Sequence, residues 1–376
     1  MIQKIRGING LVKAITKKNI NTTLYEGLTY NKVAEADEKK LFLAFRPTGG
    51  LGDYIISLKL LDELMSYCPT ICDVFCENLY FGDAIYGHRD NVEVVPANDF
   101  DRLIKQYDLV ITAEHFVHVH AWNPFKLAKL SLPLCQKIST LRAKWEYLFL
   151  NIDKQCYREA MHFKQCEFLG INRYTELNMG NIFSIKDKKV NIHLLDNARD
   201  RWKELGLENI SYITLNYGAD KMNTNKLQIK VWPMVYYEKF CELFRNKYPN
   251  IRIIQVGGKG NEKIKGVDQY ILGENLEVSK WILKESLLHI DCEGGLVHLA
   301  TQLGTKCAVI FGPTPIHMYA YEQNINLVSS KCSNCMGMHE KWAFECYRGL
   351  DKPECMYDIT PELLLENILG QVDEKV

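Results

Sequence analysis

The sequence has no excess of charge of either sign: 46 Lys and Arg stand against 46 Asp and Glu in 376 residues. A protein that grips nucleic acid by its phosphates needs a basic surface, so that class is set aside. Long apolar runs are also missing. No stretch reaches the roughly 18 apolar residues of a membrane helix. The basic opening, residues 1–18, lacks the apolar core and small-residue cleavage site of a secretory leader. No repeat of solenoid period and no low-complexity tract is found. These absences predict a cytoplasmic protein with no transmembrane segment and no nucleic-acid partner.

What is present is ordinary globular material, 47% hydrophobic and 24% charged. Single cores stop growing beyond roughly 250 residues, so this length predicts two domains. Short apolar runs at 41–45, 72–76, 92–95 and 109–112 read as buried strands, with a helical pattern over 55–64 and a helix at 99–106. Residues 127–169 are mostly helical. The rhythm restarts with strands at 212–215, 251–256, 287–290 and 307–311 and helices at 234–248 and 296–303. Strand–helix alternation means βαβ units and parallel sheets. The expected organisation is an extension over 1–40, an α/β domain over 41–195 and a second over 196–376. A ligand should lie in the cleft, at the C-terminal strand ends.

Four stretches carry chemistry. Gly49-Gly50-Leu51-Gly52-Asp53 joins a strand to a helix; its glycines admit positive φ and its free N–H groups suit an anion. It is not a full Gly-x-Gly-x-x-Gly, and by itself Asp53 reads equally as a helix cap. Asn216-Tyr217-Gly218-Ala219 precedes Lys230-Val231-Trp232-Pro233, whose lysine suits a diphosphate. Glu293-Gly294-Gly295 is followed by His298 at the start of a helix, where a histidine can equally be a satisfied core residue. Phe311-Gly312-Pro313-Thr314 closes a strand as a loop or a rigid turn.

In this order the stretches resemble glycosyltransferase family 9, the heptosyltransferases: Leu-Gly-Asp near the start, then Lys-x-Trp-Pro, then acid, small residue, Gly, two residues and His, then Phe-Gly-Pro-Thr. The resemblance implies a GT-B architecture, with two facing Rossmann-like doubly wound parallel-sheet domains. It implies inverting transfer of a heptose or related sugar from an ADP-sugar to a hydroxyl of a protein Ser/Thr or of a lipopolysaccharide or other glycan. Asp53 would be the general base. Gly49, Gly50, Gly52, Asn216, Gly218, Thr224, Lys230, Glu293, Gly294, Gly295 and His298 would serve the donor. The residues from 220 to 229 run longer than the usual family loop, so Thr224 is placed only as a candidate. The last helix, opened by Thr360-Pro361-Glu362, would pack back toward the N-terminal domain. No catalytic divalent metal is expected, since Lys230 and a helix N-terminus would stabilise the leaving diphosphate. His115, His118 and His120 are a loop cluster or acceptor contacts.

Thirteen cysteines in a large cytoplasmic chain are expected to be reduced, and nine are scattered through apolar or helical segments. Cys332, Cys335, Cys346 and Cys355 are different. A C-x2-C pair and two later thiols suit a tetrahedral sulfur site for structural iron or zinc, against a disulfide or unrelated thiols. The autotransporter heptosyltransferases have a similar cluster, which there holds iron. A homo-oligomer is compatible with this reading. Two rivals stay open: a sugar-nucleotide epimerase, and a non-enzymatic metal-stabilised binding module on the same fold.

Overall fold

A computed structural model of the chain describes residues 38–144, 156–178, 181–218 and 228–373. Thr224 and nearly all of the expected extension lie outside these residues. The chain forms two compact units. One comprises Met1–Gly49, Ile56–Asp153 and Arg173–Lys188; the other comprises Gly50–Ile55, Lys154–Asn172 and Lys189–Val376. Among the described residues no helix is long and apolar enough to cross a membrane.

Unit 1 is built on β1 (Leu41–Pro47), β2 (Thr70–Cys76), β3 (Val92–Pro96), β4 (Leu109–Ala113) and β5 (Val117–Trp122), in the order β3-β2-β1-β4-β5. The first four run parallel, with Leu43 paired to both Cys72 and Leu109. The mostly apolar sequences of β1, β2 and β4 follow from burial on both faces, while β3, at the sheet edge, is half-exposed. Helices α1 (Leu51–Met65), α2 (Leu79–Tyr86), α3 (Pro124–Leu130) and α4 (Leu132–Lys144) follow the strands. Asn78 and Asn123 cap α2 and α3 by accepting from Phe81 N and Lys126 N, each at 3.1 Å. The helix expected over 99–106 is broken: one α turn, Phe100–Leu103, is flanked by 3-10 turns.

The expected histidine loop is also corrected. His118 and His120 lie on β5, which pairs antiparallel with β4. Val117 and Val119 are buried while His118 is half-buried and His120 exposed, the period-two pattern of a strand with one wet face. The link over Glu114–Phe116 is too short for a helix, so the chain can only fold back.

Unit 2 carries α5 (Cys156–Leu169), α6 (Asp196–Glu204), β6 (Tyr212–Asn216), α7 (Met234–Lys247), β7 (Arg252–Gly257), β8 (Gln269–Leu272), α8 (Leu276–Lys284), β9 (His289–Cys292), α9 (Gly295–Gln302), β10 (Cys307–Phe311), β11 (Ile325–Val328) and α10 (Pro361–Asp373). Its sheet is parallel throughout, in the order β11-β10-β9-β6-β7-β8. The order reverses between β6 and β9, which makes a crevice at their C-terminal ends. The edge strands β8 and β11 are half-exposed and four residues long, so they leave no apolar run in the sequence.

Helix α10 packs on α7 within unit 2, where the resemblance implied packing toward the N-terminal domain. Leu364, Ile368 and Val372 enter the same core as Phe240, Phe244 and Trp232, and Tyr248 Oη donates to Asp373 Oδ1 at 2.8 Å. Trp232 is the pin of this core. It is fully buried, its Nε1 donates to Ile359 O at 2.7 Å, and its ring meets that of Tyr237 edge-on at 4.9 Å. Trp232→Ala should therefore lower stability by about 3–5 kcal/mol, the range for deleting a large buried aromatic. Urea unfolding followed by circular dichroism tests this, and a loss below about 1 kcal/mol would show that Trp232 is not a core residue.

Candidate functional site

The crevice at the sheet reversal is lined from three directions. Asn216 ends β6, and Glu293 follows β9, directly before α9. Lys230 precedes Trp232, whose backbone N–H donates to Cys292 Sγ at 3.2 Å and so ties that segment to β9. Residues far apart in the chain thus meet at these strand ends.

Lys230 Nζ lies 3.5 Å from Glu293 Oε2, and His298 Nε2 lies 3.4 Å from Glu293 Oε1. Burial alone would raise the Glu293 carboxyl. The Lys230 charge and the His298 hydrogen bond outweigh it and hold the group at about 2. Glu293 is thus a buried carboxylate with both oxygens engaged, one by a cation and one by an imidazole. Helix α9 starts at Gly295, and its first N–H groups have no carbonyl partner inside the helix. That start and Lys230 make the site receptive to an anion. Thr314 adds a buried hydroxyl with no hydrogen-bond partner among the described residues.

Beneath this cluster runs a polar chain that the sequence motifs do not single out. Thr214 Oγ1 meets His289 Nδ1 at 3.0 Å, His289 Nε2 lies 3.5 Å from Asp291 Oδ2, and Asn216 Nδ2 donates to the same oxygen at 3.0 Å. Burial pushes the Asp291 carboxyl up, against the opposing pull of His289 and Asn216. Asn261 Nδ2 donates to Tyr217 O at 2.7 Å and to Asn216 Oδ1 at 3.3 Å, clamping the loop after β6. Gly218 (φ 128°) and Gly257 (φ 144°) make the clamp possible. A Cβ on Gly257 would lie 2.5 Å from the Asn261 amide nitrogen. Of these residues the sequence motifs pick out Asn216 and Gly218; Thr214, His289 and Asn261 leave no sign in them.

The turn before Asp53 clusters with unit 2 for a visible reason. A Cβ on Gly52 would sit 2.7 Å from His298 Cδ2, and one on Gly295 would sit 2.8 Å from Leu51 Cβ. Gly52 leaves room for the His298 imidazole, and Gly295 leaves room for Leu51 and the Gly52 backbone nitrogen. Gly49 has φ 92°, whereas Gly50 has open space around its missing Cβ and Gly294 is simply extended. Asp53 Oδ2 accepts from Gly50 N at 2.9 Å, so the carboxylate does cap its own helix start.

The four C-terminal cysteines gather. Cys332, Cys335, Cys346 and Cys355 line one cavity of about 180 Å³ with Ile229, Arg348 and Pro353. None is in a disulfide. Burial, then the charge of the neighbouring thiols, raises Cys335 to about 11 and Cys355 to about 12. Thiols gathered around one cavity offer soft donors to a metal cation, although their Sγ atoms do not stand within 4.8 Å of one another as a ready ligand set. The single Asp-x-Asp of the chain, Asp99-Phe100-Asp101, is of another kind: Asp99 pairs with Arg102 at 2.8 Å on an exposed turn of unit 1.

Because the folded Glu293 value lies below its ordinary 4.5, its stabilising contribution is complete above pH 4.5 and is withdrawn as pH falls toward about 2. Glu293→Gln should therefore be less stable at neutral pH and show a shallower acid limb over that window. Urea midpoints measured against pH decide it; parallel curves for the two proteins would sink the buried-carboxylate assignment.

No family model matches the chain, and no curated protein sequence matches it. Solved structures do. An ADP-heptose lipopolysaccharide heptosyltransferase II of E. coli superposes with a TM-score of 0.55 at 12% identity, over 89% of this chain and 99% of that one. A family 9 glycosyl transferase of Veillonella parvula gives 0.53 at 14%, over 90% and 99%. TibC of enterotoxigenic E. coli H10407, described as a dodecameric iron-containing glycosyltransferase, gives 0.55 at 13%, over 89% and 78%. With two Rossmann-like units and a parallel sheet reversing at β6 and β9, the chain has the GT-B fold of the family 9 heptosyltransferases.

Proposed function

We propose that this chain is an inverting glycosyltransferase that moves a heptose from ADP-heptose to an acceptor hydroxyl. The observation that carries the reading is the Lys230–Glu293–His298 cluster beside a helix start at the sheet reversal. Lys230 and the α9 N–H groups neutralise the diphosphate as it leaves. Glu293 accepts hydrogen bonds from sugar hydroxyls. Asp53 takes the proton of the acceptor hydroxyl as that oxygen bonds to the anomeric carbon. The bond from that carbon to the diphosphate breaks at the same time, and ADP carries away the electron pair. Attack opposite the leaving group inverts the centre. Unit 1 receives the acceptor, a protein serine or threonine or a glycan hydroxyl, and the reaction takes place in the cytoplasm.

The donor is taken as ADP-heptose because TibC, of the same fold, is described in complex with ADP-D-β-D-heptose. The cysteine cavity is read as a structural iron or zinc site held by Cys332, Cys335, Cys346 and Cys355. With four sulfur ligands it would have no open position for substrate, so it supports the fold and takes no part in transfer.

Calorimetry with ADP-heptose, GDP-sugars and UDP-sugars tests the donor. ADP-heptose should bind, and Lys230→Ala should weaken it by about 1.5–3 kcal/mol, the range for a lost hydrogen bond to a charged group. Asp53→Asn should keep the donor but lower turnover at least ~100-fold. Binding of none of the sugars, or normal turnover without the Asp53 carboxylate, would overturn the reading. For the metal, elemental analysis of protein purified under reductant should find about one equivalent of iron or zinc, lost together with local order when any one of the four cysteines becomes serine. Less than about one tenth of an equivalent, with the segment still ordered, would remove the site.

A further inference from the structure

Two glycines at helix starts are not explained by backbone conformation. Gly52 lies in the first turn of α1 and Gly295 opens α9, and neither has the positive φ that calls for glycine. Within a helix glycine is a poor choice, since alanine there loses less backbone freedom. Contact explains both. A Cβ on Gly52 would lie 2.7 Å from His298 Cδ2 and 3.2 Å from His298 Nε2, so the turn rests on the ring edge that also reaches Glu293 Oε1 at 3.4 Å. A Cβ on Gly295 would lie 3.2 Å from Gly52 N, so α9 touches the same turn a second time. All of these residues belong to unit 2.

The imidazole has little room to retreat. Its Nδ1 lies 2.6 Å from Tyr321 Oη, its ring is edge-on to that of Tyr321 at 5.5 Å and to that of Tyr319 at 6.4 Å, and the side chain is buried. The turn on its other side is stiff as well. Asp53 Oδ2 accepts from Gly50 N at 2.9 Å and Tyr54 N donates to Gly50 O at 3.1 Å, so residues 50–54 move as one piece and carry the Asp53 carboxylate with them. We propose that His298 is a positioning residue, a spacer whose imidazole sets the distance between Glu293 and the turn bearing Asp53, and that Gly52 is glycine so that this turn can seat on the ring. The roles of Glu293 toward the donor and of Asp53 as base rest on the reading above; the seating of the turn does not.

Gly52→Ala tests the spacer. Alanine suits a helix better than glycine, so the variant should fold and bind ADP, by calorimetry, within about two-fold of wild type, while its methyl pushes turn and ring apart. Release of ADP from ADP-heptose, with water in place of the acceptor hydroxyl, reads the consequence. There the water oxygen bonds to the anomeric carbon, Asp53 takes a proton from that water, and the bond from the carbon to the diphosphate breaks with its electron pair leaving on ADP. The kcat of this release should fall about ten-fold or more with KM little changed, the scale for a small misplacement of a reacting group. In a His298→Ala background the methyl meets no ring, and the same change should lower kcat by less than about two-fold. Unchanged kcat in Gly52→Ala, or losses that multiply in the double variant, would overturn the spacer. So would loss of ADP binding in Gly52→Ala, which would make the glycine part of the donor seat alone. A nuclear Overhauser effect between His298 Hδ2 and the Gly52 α-protons, in protein labelled only at histidine and glycine, reads the contact without any substrate, and its absence contradicts the proposal. If the wild type neither binds nor cleaves ADP-heptose, the donor reading falls, while the Overhauser effect still judges the seating of the turn.

Discussion

The ionised carboxylate of Glu293 constrains everything around it. A buried charge without partners is expelled or neutralised. This one is kept by a cation 3.5 Å away on one oxygen and an imidazole 3.4 Å away on the other. The cation comes from a distant part of the chain and the imidazole from the next helix, so β9, the loop before α7 and α9 must all be held in register for the charge to persist. Trp232 N on Cys292 Sγ secures the Lys230 segment, and α9 carries His298 directly from the sheet. Fold stability and site geometry are here one requirement.

The cysteine segment joins the same arrangement from the far side. Ile229 N donates to Ala343 O at 2.8 Å, which anchors the residue next to Lys230 to the chain between Cys335 and Cys346. Met336 N donates to Pro313 O at 2.9 Å, and Asn334 Oδ1 accepts from Ile316 N at 3.2 Å, so the loop containing Thr314 is braced from both ends. A Cβ on Gly312 would lie 2.3 Å from Met356 Sδ, so a larger residue there would have to displace that side chain. Whatever orders the cysteines therefore orders two loops of the crevice, because backbone hydrogen bonds tie the segment to both of them.

Much of this architecture is legible in the sequence. The buried parallel strands stand out as short apolar runs because both their faces are covered, and β1, β2, β4, β6, β7 and β10 fall where the runs lie. The glycine turns are legible too, since a neighbour pressed against a backbone leaves a mark that no other residue type makes. Elements with one wet face or a short length are not. β5, β8 and β11 carry mixed burial and no apolar run, so His118 and His120 read as loop residues. Helix α10 shows its start by its capping pattern but not its partner, because an apolar face does not say which surface will cover it.

The sequence by itself determined the local chemistry of this protein: which turns need glycine, which strands are buried, and which acid, lysine and histidine stand in recognisable spacing. Tertiary structure alone decided how those groups are used. Glu293 is a carboxylate and not a neutral acid because Lys230 arrives from 63 residues away. Asn216 is clamped because Asn261 arrives from 45 residues away. His298 is held in place because Tyr321 meets its ring from a loop, and Gln302, one helix turn on, reaches the same tyrosine oxygen. Charge state and ring position depend on distances of a few ångströms, and over such separations the linear order of residues does not encode them.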